Sequence, residues 1–320
     1  MMSVIKSLAN KSSKSDAPPS TGQGATKGGS EPSGKADKPR IDIERWLPSR
    51  WEDFVGNEEV IEHFRDDLLY GVRKRGDRSG YNTFLIGESR TGKTAIVNHT
   101  MKCIACLDFD FATYNPCGKC HNCRDVYHIF GNDEWENEID YLEGSPRVVT
   151  PLRQHFIPID CTSITESELN EKLKNLKESA STVRVVYLDE AHRLTRRHFD
   201  EKLLKPLEQM RLIWICSSAV IKFEDCENVP QLEKMFLNRF SYRFQTRKPT
   251  VAELVKWLTK RCLEWEIEVD QPGATLKSLA EKSHRVPGMA LQVLNKAYKK
   301  RKKLLTKTLV DRHIFDFDDC

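Results

Sequence analysis

The sequence has no run of 18 or more apolar residues, so no membrane-spanning helix is expected. Its N-terminus lacks the apolar core of a secretion signal, which makes export unexpected and places the chain in the cytosol. Strong net charge is missing too. Lys and Arg number 51 against 47 Asp and Glu, and the resulting +4 is too mild to imply a nucleic-acid partner by itself. Residues 1–40 are Ser, Gly, Lys and Pro with almost no large apolar side chains. Such a stretch cannot bury enough surface to offset its ordering entropy and is expected to be a disordered tail. The whole chain is nevertheless 39% hydrophobic over 320 residues, enough for a sizeable core and two compact units. Ten cysteines in a chain that is not exported read as thiols or metal ligands rather than disulfides.

Against these absences stands one dense stretch, Gly87-Glu88-Ser89-Arg90-Thr91-Gly92-Lys93-Thr94. The apolar run 81–86 before it reads as a buried strand, and 95–101 after it has helical character. Strand, glycine-bounded loop and helix together make a phosphate cradle: glycines let successive N–H groups point inward, and the helix N-terminus adds partial positive charge. Lys93 reaches the β- and γ-phosphates and the Thr94 hydroxyl ligates Mg²⁺. A bound nucleoside triphosphate is expected.

A second signature lies at 183–190, a β-branched strand ending in paired acids. Asp189 at the strand end holds Mg²⁺ through water, and Glu190 polarises the attacking water. Asp189-Glu190-Ala191-His192 also spells the DEAH helicase signature, but that class needs a second motor domain for which too little chain remains, and the match is read as coincidental. Residues 156–160 form another core strand. The helix after it is capped by Thr165 or Ser167 and carries Leu169, Leu173 and Leu176 at helical spacing. Residues 212–218 read as a further buried strand with Ser217 and Ser218 at its tip.

Cys117, Cys120 and Cys123 put three thiolates on a tight turn, and Cys106 can close a tetrahedral Zn²⁺ site, with Cys103 and His121 as alternative ligands. Thiolates select zinc over magnesium, and four of them leave no open position, so the zinc is structural.

These residues, with Arg45-Trp46-Leu47-Pro48-Ser49-Arg50-Trp51-Glu52-Asp53-Phe54-Val55-Gly56 upstream, resemble the AAA+ ATPases and, within them, the clamp-loader family, including the zinc module of its bacterial motor subunits. The resemblance covers about residues 43–300. It implies an α/β fold, a P-loop parallel sheet sandwiched by helices, with a zinc-binding insertion and a small helical lid. The implied organisation is a tail at 1–40, a nucleotide-binding domain at 41–247 (zinc module about 103–125, a further insertion of unknown purpose about 129–152), a lid at 248–300 and a charged C-terminal tail at 301–320. It places Val55 and Gly56 against the adenine, makes Ser218 (with Ser217 as runner-up) the sensor of the γ-phosphate, and sends Arg239 to a neighbouring subunit's ATP. The flanks of Arg239 are Asn238 and Phe240, where the family has Ser and Cys. At the start of the last lid helix Gly288 stands where the family carries a second arginine, and Arg285 is out of frame; the stator subunits of the family share that glycine.

ATP hydrolysis in clamp-loader-like assemblies is the leading expectation, with other AAA+ subunits, primed DNA and a sliding clamp as partners and ATP, Mg²⁺ and Zn²⁺ as cofactors. A low-turnover stator or adaptor is the alternative, favoured by Gly288 and by the absence of a collar domain, since about twenty residues follow the lid. A regulator of another DNA transaction is the third. Whether Lys299-Lys300-Arg301-Lys302-Lys303 contacts phosphates is left open between that and a solvated helix end.

Overall fold

Unbroken apolar strands need cover on both faces, and the sheet has it. The computed structural model describes residues 48–120, 122–123, 139–142, 145–148, 156–178, 185–194, 203–220, 234–300 and 302–314. A short 3₁₀ turn, Trp51–Asp53, leads to α1 (Glu58–Glu62), which continues as a π-wound segment, His63–Arg75. Strand β1 (Thr83–Ile86) is followed by α2 (Lys93–Ala105). A hairpin of β2 (Ile139–Leu142) and β3 (Ser145–Val148) falls within the expected insertion. Then come β4 (Phe156–Asp160), α3 (Glu166–Glu178), β5 (Val185–Asp189), α4 (Leu204–Gln209), β6 (Ile213–Ser218), α5 (Lys234–Leu237) and β7 (Tyr242–Gln245).

The main sheet is parallel, in the order β4-β5-β6-β1-β7. Every residue of β1 and β6 is buried, as expected for a parallel sheet covered on both faces. Because side chains alternate along a strand, the sheet splits its apolar residues between two cores. Leu85, Val185, Tyr187, Ile213 and Ile215 join the core that contains α2 and the π-wound segment. Phe84, Ile86, Val186, Leu188, Trp214 and Cys216 join the one that contains α3. Helix α3 starts with a capping box: Thr165 Oγ1 accepts from Glu168 N at 3.3 Å and Glu168 Oε2 from Thr165 N at 2.8 Å, so the cap is Thr165 and not Ser167.

The lid has its own core, made from α6 (Val251–Glu264), α7 (Pro272–Lys282) and α8 (Pro287–Tyr298). Two findings depart from the expectation of a purely helical lid with a charged tail. Strands β8 (Glu268–Val269) and β9 (Leu304–Leu305) pair in parallel, and α9 (Lys307–Ile314) packs Leu309 and Val310 into the lid core. The run of cations at 299–303 masks this short apolar pattern in the sequence. The expected tail at 1–40, the alternative ligand His121, the cation Arg301 and the segment 315–320 lie outside the described residues. No helix among the described residues is long and apolar enough to cross a membrane.

Candidate nucleotide site and four-cysteine centre

The glycine-bounded loop leaves β1 at its carboxyl end and enters α2. Gly87 has φ +141° and sits so close to Thr246 that an added Cβ would lie 2.2 Å from the threonine hydroxyl; no other residue fits there. Gly92, at φ +101°, is the N-cap of α2. Arg90 between them is also left-handed, at φ +64°. The loop is fastened to β7 and to the segment before α1. Thr91 Oγ1 donates to Glu88 O at 2.8 Å and lies 2.7 Å from Thr246 Oγ1, while Asn57 Nδ2 donates to Thr91 O at 3.2 Å. Lys248 pairs with Glu88. Lys93 is buried, its Nζ donating to Gly87 O at 2.7 Å and Glu88 O at 2.9 Å. Burial pushes its ammonium below the ordinary value, against the pull of Glu190, Asp189 and Glu88.

The paired acids stand beside this loop. The hydroxyl of Tyr187, two residues before Asp189 and therefore on the same strand face, lies 2.8 Å from Asp189 Oδ1, 3.3 Å from Thr94 Oγ1 and 3.1 Å from Ser217 Oγ. Ser217 donates to Asp189 Oδ1 at 2.5 Å. Glu190 adopts φ +51°; its Oε2 accepts from Ala219 N at 3.0 Å and lies 3.3 Å from His192 Nδ1. Ser218 is fully buried, its Oγ 3.1 Å from that same nitrogen. Thus Ser217 serves Asp189, and Ser218 reaches Glu190 through His192. Burial keeps His192 below its ordinary value.

A cavity of about 460 Å³ joins loop and lid. Ser89, Arg90, Thr91, Gly92, Lys93 and Thr94 line one side, Glu190 one end, and Phe54, Val55, Trp257, Pro287, Gly288 and Leu291 the apolar remainder. Gly56 stands one residue back, with the space of its missing Cβ 3.7 Å from Arg247 and Pro249. Gly87 and Glu88 form the base of the loop behind the lining. Arg239 does not line the cavity. It follows α5 between the buried Phe236 and Phe240, and pairs with Glu208 at 2.5 Å. Sequence reading missed Thr246, Trp257, Tyr187 and His192. Only Tyr187, by its period-two spacing from Asp189, carried a signal.

The thiols of Cys106, Cys117, Cys120 and Cys123 all lie within 4.8 Å of one another. A tetrahedral Zn²⁺ with about 2.3 Å bonds places sulfurs about 3.8 Å apart. The Cys117–Cys123 and Cys120–Cys123 separations are 3.9 and 3.4 Å, so this donor set fits such an ion. Backbone N–H groups already point at the sulfurs: Cys117 N at Cys106 Sγ, 3.2 Å, and Lys119 N and Cys120 N at Cys117 Sγ, 3.4 Å each. Hydrogen bonding with Cys120 pushes the Cys106 thiol up to about 12, as expected of sulfurs that ionise together only beside a cation. Cys103 is not part of the group; it is buried and its thiol points to Tyr114 O at 3.6 Å. Arg73 braces the module, donating to Ile104 O at 2.9 Å and Cys106 O at 3.0 Å.

No protein-family model matches the chain. Among curated proteins it is 30% identical over 169 residues to the tau/gamma subunit of DNA polymerase III from Haemophilus influenzae, a match covering 52% of this chain and 20% of that one. It is 28% identical over 169 residues to the gamma subunit from Buchnera aphidicola, covering 37% of it, and 29% identical over 168 residues to the tau subunit from Escherichia coli, covering 21%. The chain thus spans between about a fifth and somewhat over a third of the length of these relatives. Among solved structures, the Thermotoga maritima RuvB Holliday junction branch migration motor superposes with a TM-score of 0.54 at 15% identity, covering 84% of this chain and 72% of that one. A proline-to-glycine mutant of the same motor gives 0.54 at 13% identity, covering 85% and 74%. The fold is the AAA+ P-loop fold, and half of the sequence is similar to DNA polymerase III tau/gamma subunits.

Proposed function

We propose that this protein binds and hydrolyses ATP as a subunit of a clamp-loader-like assembly in DNA replication. The observation that carries this reading is the convergence of Lys93, Thr94, Asp189 and Glu190 in and beside one cavity under a helical lid. Similarity to tau/gamma subunits supplies the replication context. Phosphates would sit on the loop amides and the α2 N-terminus, with the Lys93 ammonium leaving its two loop carbonyls for phosphate oxygens. Thr94 and Asp189, bridged by the Tyr187 hydroxyl, would hold Mg²⁺, which supplies charge neutralisation of the transferring phosphoryl group. Glu190 takes the role of the group that orients the attacking water, and must first release the Ala219 amide. Val55, Phe54, Trp257 and Leu291 offer the apolar face for the base. The four cysteines hold a structural Zn²⁺.

Arg239 lies outside its own chain's cavity, which favours action on a neighbouring subunit. Steady-state ATP hydrolysis, alone and with primed DNA and the host's sliding clamp, tests the reading. Stimulation by DNA and clamp that disappears in Glu190→Gln is expected; ATP binding without turnover under every condition overturns it. Mixing Arg239→Ala with Lys93→Ala protein should restore part of the activity at mixed interfaces. A second reading, a low-turnover adaptor, is favoured by Gly288 on the lid face of the cavity and by the engaged carboxylate of Glu190.

A further inference from the structure

Among the described residues lining the 460 Å³ cavity, only Lys93 and Arg90 are cationic, opposite the carboxylates of Asp53 and Glu190. A nucleoside triphosphate brings more negative charge than one ammonium and one Mg²⁺ offset. The other cations nearby are committed: Lys248 to Glu88, Arg247 to Glu58 and Glu253, Lys260 and Arg261 to Asp53. Arg285, at φ +60° just before the last lid helix, is exposed and does not line the cavity.

Arg90 differs from all of these. It is exposed on the cavity side of the loop and makes no hydrogen bond or ion pair among the described residues. Its backbone is left-handed, at φ +64°, where a side chain is strained and glycine is not. Directly against this arginine stands Gly288, in the first turn of α8, where an added Cβ would lie 3.7 Å from the Arg90 Cβ. The lid residue that meets the loop arginine is therefore a glycine, and the lid residues that line the cavity, Trp257, Pro287, Gly288 and Leu291, carry no charge.

We propose that Arg90 is the second phosphate-binding cation of this cavity, placing on the loop the positive charge that no lid residue provides. The proposal rests on the nucleotide reading above and narrows it. The ligand class is a nucleoside triphosphate, and the contact is a guanidinium on the oxygens beyond the β-phosphate, where a planar fork binds two at once. A cation carried by the loop keeps its place whether or not the lid moves, so recognition of the third phosphate is separated from lid position.

The test is equilibrium binding of fluorescent ATP and ADP analogues, with Mg²⁺, to the full chain. Arg90→Gly should weaken triphosphate binding tenfold or more while leaving diphosphate binding within about twofold. Its melting temperature without nucleotide should stay equal or rise, because the left-handed strain is relieved. Arg90→Asn, neutral but tolerant of that backbone, should behave alike and separates lost charge from a loosened loop. In Arg90→Gly/Gly288→Arg the preference for triphosphate should return, now carried by the lid. An unchanged ratio of triphosphate to diphosphate affinity in Arg90→Gly and Arg90→Asn overturns the proposal while leaving the nucleotide reading intact. Wild-type protein that binds neither analogue overturns that reading instead, and the proposal with it.

Discussion

The nucleotide cavity and the four-cysteine centre lean on the same strap, residues 48–57, yet are built in opposite ways. The cavity draws its walls from segments far apart in the chain, at 48–57, 89–96, 190, 257 and 287–291. The cysteine centre takes all its donors from 106–123. The strap touches both. Trp51 N donates to Asn115 Oδ1 at 2.9 Å and Trp51 Nε1 to Tyr114 O at 2.8 Å, inside the cysteine loop, while Phe54 and Val55 face the cavity. A site assembled from distant segments takes its geometry from the whole fold and loses it with the fold. A local site with four thiols depends instead on the cation that compensates them.

The largest effect should come from breaking the local site. Cys120→Ser, or chelation of the metal, should cost on the order of 3–5 kcal/mol, read as a fall of roughly 10 °C in melting temperature. Nucleotide affinity should fall less than stability does, since the cavity shares only the strap with this module. Elemental analysis should find one zinc per chain. Normal melting with no zinc bound would remove the structural role assigned to the centre.

A smaller effect, on the strap itself, should follow acidification. His99 on α2 is buried against Trp51, ring centroids 4.5 Å apart, and Phe54, 5.6 Å. Burial, helped by Lys102, pushes its imidazole down to about 3. The unfolded chain takes up this proton near pH 6.5, so between there and pH 3 the unfolded state binds more protons and stability falls with pH. The slope should be about 1.4 kcal/mol per pH unit, or about 2 kcal/mol by pH 5. Urea unfolding of wild type and His99→Leu at pH 7.5, 6 and 5 isolates this share. Parallel curves for the two proteins would refute it.

How much of this was legible follows the same division between near and far. The cysteine spacing and the phosphate loop declare themselves because ligands and cradle lie within a few residues. Asp189 and Glu190 are legible because a β-branched strand ending in acids is also local. Thr246, 159 residues beyond Gly87, is legible in neither segment alone; it explains the loop's first glycine only when β7 lies beside β1. Trp257 reads as one more apolar residue of an amphipathic helix until the lid folds over the loop. Strand β9 and helix α9 were hidden by the cations before them, although Leu305, Leu309 and Val310 supply buried apolar side chains. The π winding at His63–Arg75 left no mark in a sequence that reads as an ordinary amphipathic helix.

The smallest predicted effect separates the strap's hold on the lid from its hold on the cysteine module. Asp53 is buried, and its Oδ2 accepts from Ser49 N at 3.1 Å, Ser49 Oγ at 2.9 Å and Arg50 N at 3.0 Å. Its Oδ1 pairs with Lys260 at 3.1 Å and Arg261 at 3.2 Å, and its carbonyl accepts from Trp257 Nε1 at 2.6 Å and Arg261 Nη2 at 3.0 Å. Burial alone would raise this carboxyl, but Arg261, Ser49 and Lys260 outweigh burial and hold it below its ordinary value. Asp53→Asn keeps the shape and removes the charge, leaving the buried Arg261 with Glu264 at 2.8 Å as its remaining ion-pair partner. The expected loss is about 1–2 kcal/mol at pH 7, with a weaker grip of Trp257 on the cavity and no loss of zinc. Because the folded carboxyl is depressed, its stabilisation is complete above the unfolded value of about 3.9 and is lost only as pH falls through the folded one. Wild type and Asp53→Asn should therefore keep a constant gap from pH 7 down to about 5 and converge below 4; both proteins carry the His99 slope over this range, so it cancels from the gap. A gap that persists undiminished at pH 3 would show that shape, not charge, ties the strap to the lid.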